Sequence, residues 1–165
     1  MEQLTTVLVT LLVLAVLFGL LRRGWTGRVR RQAGIAAPPE PPAGDREARL
    51  SVPGMYVATT EHGAPLERIA AHGLGVRARA TVLVRDDGVV VDRRGAPALF
   101  LPAADIVAVG TSSGMVGKFV ERDGLAVLTW RLGPTVVDTG FRTQRAEDKR
   151  RLLDAVEAIA PAPHS

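Results

Sequence analysis

The apolar positions of this 165-residue chain fall into three regimes. From Gln3 to Leu21 (QLTTVLVTLLVLAVLFGLL) they are nearly continuous, with no charge between Glu2 and Arg22. Across the middle of the chain they come in short β-branched runs cut by turn residues. From Ala146 to Ala160 they recur at helical spacing, with Leu152, Leu153, Val156 and Ile159 on one face and Arg150, Arg151, Asp154 and Glu157 on the other.

The middle regime predicts strands at 55–60, 76–85, 89–93, 98–101, 106–110, 118–121, 125–132 and 135–142. Asp86-Asp87-Gly88 and Arg122-Asp123-Gly124 supply hairpin turns. Pro65 to His72 reads as one or two helical turns broken by Gly73 and Gly75. The fold class is therefore mainly β with a C-terminal helix: a seven-stranded barrel or sandwich over residues 49–160, capped by one amphipathic helix. A short tail, 161–165, begins at Pro161.

The first regime predicts a transmembrane helix over 1–21. Leu4 to Leu21 would span roughly 27 Å, close to the hydrocarbon thickness of a bilayer. A cleaved signal peptide requires basic residues before the apolar run and a small-residue cleavage site after it. Here Glu2 precedes the run, five arginines follow it, and no such site separates them. Basic residues beside a span stay on the cytoplasmic side. The expectation is an uncleaved single-pass anchor in the cell membrane, N-terminus outside and everything after Arg22 cytoplasmic. Arg22, Arg23, Trp25, Arg28, Arg30 and Arg31, in the basic segment 22–31, are the expected contacts to the membrane surface, at about 1 kcal/mol per basic residue on anionic lipid. Residues 32–48, with Pro38, Pro39, Pro41 and Pro42, read as a semi-extended spacer with no packable pattern.

The blocks VRDDGVVVDRRG and LFLPAADIVAVG, within this order of strands and helix, resemble bacterial pleckstrin-homology-like (PH-like) domains. HGLGVRARATV, GKFVERDGLAVLTWRLG and DTGFR more narrowly resemble actinobacterial single-pass membrane proteins carrying one such domain, often labelled export or transporter-like. The similarity runs from Val52 to Ile159 and includes the N-terminal span. It implies the PH-like fold and a tethered domain; it implies no catalytic residues.

Charge and chemistry narrow the function. The formal charge of +4 is concentrated: from Arg49 onward 15 basic side chains face 13 acidic ones, leaving +2. A nearly neutral domain argues against a nucleic-acid-binding face. Without cysteine there is no disulfide and no thiol catalysis. GTSSGMVGKF fails as a phosphate loop, because Ser112 stands where a glycine is needed and Phe119 where Ser or Thr is needed. His62, His72 and His164 show no metal-ligand spacing, and no serine sits in a nucleophile elbow. Asp105 and Asp138 are isolated carboxylates. Trp130 and Phe141 are expected in the core, with Arg131 and Arg142 facing the other way. The stretch Glu61 to Arg68, where some eukaryotic PH domains hold phosphoinositides, carries two acids and one arginine.

No enzyme activity, cofactor or metal is expected. The reading is a membrane-tethered adaptor that contacts the lipid bilayer and binds a protein partner at a strand edge or beside the capping helix, and no nucleic acid. The alternative is an accessory subunit of a membrane transport or export complex.

Overall fold

The computed structural model describes residues 10–19, 34–44, 47–115, 118–119 and 124–161, with only the backbone at 118–119. The chain divides into two units, Met1–Gly34 and Ile35–Ser165. In the first, residues 10–19 form helix α1, apolar all round, and Leu11, Leu12, Val13, Leu14, Val16, Leu17 and Phe18 are all exposed. Among the described residues no helix is long and apolar enough to cross a membrane. The remainder of the expected span lies outside the described residues.

Among its described residues the second unit has nine strands: β1 Leu50–Glu61, β2 Ala78–Arg85, β3 Gly88–Arg93, β4 Leu99–Pro102, β5 Ile106–Ser112, β6 Gly114–Met115, β7 Lys118–Phe119, β8 Leu125–Leu132 and β9 Thr135–Thr143. The helix α2, Ala146–Glu157, closes the chain. Seven of the strands form one antiparallel sheet in the order β4-β3-β2-β1-β9-β8-β5. Alternation along each strand sends one set of side chains inward. The row Val52–Val82–Val91–Leu99 shows the register: each is the cross-strand partner of the next, and all are buried. Tyr56, Trp130 and Phe141 fill the same core as Leu152 and Val156 of α2. A fully buried Leu or Val side chain contributes about 1.5–3 kcal/mol, so the helix seals the interior as its pattern predicts.

β1 serves both halves of the sheet because it is bulged. Up to Tyr56 it pairs with β2; beyond the shift between Tyr56 and Ala58 it continues along β9 alone. This leaves its other edge open past Tyr56, and the chain from Arg68 to Leu74 fills it. Ile69 N–H donates to Thr59 O at 3.0 Å, Thr59 N–H donates to Leu74 O at 2.8 Å, and Arg68 bridges to Thr60. The expected helix at Pro65–His72 is thereby displaced, leaving one 3-10 turn at Ala71–Gly73. Backbone groups that can complete an open strand edge do so in preference to a short, poorly nucleated helix.

Two further expectations are corrected. The strand expected at 118–121 does not join the main sheet among the described residues; Lys118–Phe119 pairs only with Gly114–Met115, while β5 takes the place beside β8. And the proline-rich stretch does pack at its start. Ile35 is buried in the main core with Ala36 against it, and His72 Nε2–H donates to Ile35 O at 3.0 Å. At Gly133 (φ +59) a Cβ would stand 2.8 Å from Ala36 Cβ, so the β8–β9 turn and this segment fit closely. The compact unit thus begins at Ile35 and takes in much of the expected linker.

A chain of buried hydrogen bonds crosses the core. Trp130 Nε1–H donates to Thr139 Oγ1 at 2.9 Å, Thr139 and Thr59 hydroxyls are 2.9 Å apart, Thr59 and Tyr56 hydroxyls 2.8 Å, and Tyr56 O–H donates to Leu74 O at 2.6 Å. Each hydroxyl has one proton. With Tyr56 committed to a carbonyl, Thr59 must donate to Tyr56 and Thr139 to Thr59, so the whole chain runs one way. Burial is the main cause that pushes the Tyr56 hydroxyl above its usual pKa, opposed by the Thr59 hydrogen bond and the nearby Arg93 charge.

Candidate functional site

The same alternation that fills the core places polar side chains on the outer face of the sheet, and on β1 this creates a groove. Met55 is the cross-strand partner of Arg79 on β2 and of Arg142 on β9. Their neighbours Tyr56, Ala80 and Phe141 are buried, so Met55, Arg79 and Arg142 face outward in one row. Cross-strand Cα atoms are about 5 Å apart, which sets the two arginines on either side of Met55 with roughly 10 Å between their backbones. Arg77 Nε–H donates to Met55 Sδ at 2.7 Å. Arg94, whose backbone N–H bonds Arg79 O at 2.8 Å, extends the arginine set across the sheet.

Together with Pro53, Gly54, Thr81, Asp92, Gln144 and their neighbours, these residues line an open groove of about 940 Å³. Asp92 is the one carboxylate in that lining. Ion pairs join Arg49 to Asp86, Arg145 to Glu147 and Arg151 to Asp148, and His62 bonds Asp138. None of them engages Arg77, Arg79, Arg94 or Arg142.

Arg93 also lines the groove but belongs to its foundation. It is 3% exposed. Nε–H and Nη2–H donate to Pro97 O at 3.0 and 2.9 Å, Nη1–H donates to Gly73 O at 2.9 Å, and the guanidinium lies 4.9 Å from the centroid of the Tyr56 ring. These bonds tie the end of β3 to the β3–β4 turn and to the β1–β2 connection. Carbonyl dipoles and an aromatic face satisfy the charge, and no carboxylate among the described residues cancels it. Gly54 supports the groove from below: a Cβ there would collide with Arg142 O and come within 2.6 Å of the Phe141 ring.

A second polar cluster lies further along the outer face. His62 Nδ1–H donates to both oxygens of Asp138 at 3.0 and 3.1 Å, and Thr129 Oγ1–H donates to Asp138 Oδ1 at 2.6 Å. Neither His62 nor Asp138 stands alone, as the sequence suggests. A carboxylate-oriented imidazole is half of a catalytic apparatus; here the His62 ring bonds the Asp138 carboxylate. No group of three potential ligands that could hold a metal ion occurs among the described residues.

Arg22, Arg23, Trp25, Arg28, Arg30 and Arg31, the residues the sequence nominates for membrane contact, lie outside the described residues. Trp130 and Phe141 are buried, and Arg131 and Arg142 are exposed, as expected. What sequence reasoning misses is the groove: Arg77, Arg79, Arg94 and Arg142 converge although the domain as a whole is almost neutral. Arg77-x-Arg79, at alternate positions entering a strand, is the one local signal of it.

The seven-stranded antiparallel sheet, its main core and the C-terminal helix are consistent with a PH-like fold. A family profile described as Bacterial PH domain-like matches residues 35–157, and the chain belongs to that family. No curated protein matches the chain.

Proposed function

We propose that this chain is a membrane-tethered, non-enzymatic interaction module, which holds its PH-like domain at the cytoplasmic face of the cell membrane to bind an anionic partner. The observation that carries the binding role is the groove: exposed arginines on paired strands, free of carboxylate partners among the described residues, around one open concavity. Strands fix such a site more firmly than loops do. The tether draws support from α1, an apolar helix whose large side chains are all exposed and therefore call for a non-aqueous environment. It draws further support from the uncharged run around α1 and the arginines that follow it.

Alkaline extraction and protease protection test the tether. The full-length chain is expected to stay in the membrane pellet after carbonate washing, with the PH-like domain cleaved only when protease reaches the cytoplasmic side. Recovery in the soluble fraction, or cleavage from the outside, overturns it. Chemical crosslinking from native membranes, comparing the full-length chain with an Arg79→Gln, Arg142→Gln variant, tests the groove as the adaptor surface. The variant is expected to lose its crosslinked partner; equal crosslinking places partner binding elsewhere.

A further inference from the structure

We infer that the groove over Met55 is a binding site for a phosphate group, presented either by a glycerophospholipid headgroup or by a small phosphorylated molecule. This rests on the reading of the domain as an interaction module and names the chemistry of what it holds. The cations come from different directions: Arg79 and Arg142 flank Met55 on its two neighbouring strands, Arg77 reaches in through Met55 Sδ, and Arg94 follows at the end of β3.

Such an arrangement suits a compact group with several oxygens. Guanidinium forks bind phosphate in a bidentate manner, and one phosphate accepts from more than one fork at once. A single carboxylate has two oxygens and would leave most of these arginines unmatched. The buried charge of Arg93 adds to the field, while three of its five N–H donors are committed to Pro97 O and Gly73 O. Thr81 and Gln144 on the lining add neutral donors. The site is distinct from the Glu61–Arg68 stretch, whose two acids would repel the same ligand.

The test uses the full-length chain in nanodiscs of zwitterionic phosphatidylcholine, with arginine Nε–H resonances followed by NMR. Inorganic phosphate and glycerol 3-phosphate are titrated as soluble probes. In a parallel arm, phosphatidylglycerol is added to the discs. Saturable shifts of Arg79 and Arg142 are expected, with affinity about tenfold weaker for each arginine replaced by Gln, hence about a hundredfold for the pair. Arg131→Gln, an exposed change on β8 outside the groove lining, is expected to leave affinity unchanged. Shifts with phosphatidylglycerol alone identify a lipid headgroup as the source; shifts with glycerol 3-phosphate alone identify a soluble ligand. Wild-type affinity in the double Gln variant overturns the inference. So does an acidic peptide or an oligonucleotide that shifts these resonances when no phosphate probe does. A chain that fails to enter the nanodiscs counts against the tether, and the soluble probes then test the groove separately on the same chain in detergent.

Discussion

Thr59 and Thr139 are cross-strand partners on β1 and β9, and their hydroxyls meet at 2.9 Å inside the core. They form the middle link of the one-way chain from Trp130 to Leu74 O. Replacing Thr139 with Val keeps the shape but removes the acceptor of Trp130 Nε1–H and the donor to Thr59. A buried donor left unpaired costs about 1–3 kcal/mol, and a loss of that size is expected in chemical denaturation. Tyr56→Phe leaves Thr59 to find another acceptor and is expected to cost less. The double variant will destabilise by less than the sum of the two, because both changes break one network.

Tyr56 gives the fold a defined alkaline limit. Below its ordinary pKa of 10.0 the phenol is protonated in both folded and unfolded chains. Above that value the unfolded chain ionises while the folded one resists, so stability falls as pH rises until the raised folded pKa is passed. Tyr56 is the sole tyrosine, so tyrosinate absorbance reports on it alone. The native chain is expected to titrate later than the urea-unfolded chain, and Tyr56→Phe to flatten the stability profile above pH 10.0. Coincident native and unfolded titrations would show that burial does not hold the proton.

Two glycines of the paired strands β1 and β9 differ in what surrounds them. A Cβ on Gly54 meets Arg142 O and the Phe141 ring, which are fixed by the sheet and the core; on Gly140 it meets Met115 Sδ at 2.6 Å, the end of a flexible side chain. Gly54→Ala is expected to cost about 1–3 kcal/mol by overpacking, and to weaken anion binding by shifting Arg142. Gly140→Ala is expected to be cheaper, with Met115 moving aside. Thermal melts of the two variants check the ranking, and a reversal would place the rigid contact at Met115.

The seated start of the proline-rich stretch is equally open to measurement. Ile35→Ser removes a buried apolar group and places a hydroxyl among core residues, at an expected cost of about 2 kcal/mol. Pro38→Ala, a few residues on, is expected to change stability by less than about 0.5 kcal/mol. If both are neutral in denaturant titrations, the unit does not depend on residues before β1.

Much of the fold is written in local pattern. The alternation of Val82 and Val84, or of Leu128 and Trp130, marks inward positions directly, and the helical period of Leu152 and Val156 marks the face that seals the core. The segments that escape such reading lack a repeat. Ile35 is one apolar residue among prolines and alanines, and its burial depends on Gly133 and His72, far along the chain. Ile69 and Leu74 are captured by an edge that exists only because β1 is bulged. The groove is hidden for a related reason. Arg77, Arg79, Arg94 and Arg142 become neighbours only through strand register, and a nearly balanced total charge conceals their local excess.

Met115 over Gly140 has a consequence for how the sheet opens. On one side of β9 lies the main core; on the other, Met115 packs with Ala58 and Leu125 as a small second cluster. Solvent is therefore kept from this stretch of the ladder on both faces, whereas β4 and β5 each have a strand neighbour on one side only. Amide hydrogens around Gly140 belong to the part of the domain that opens last, and deuterium will enter there only when the whole sheet comes apart.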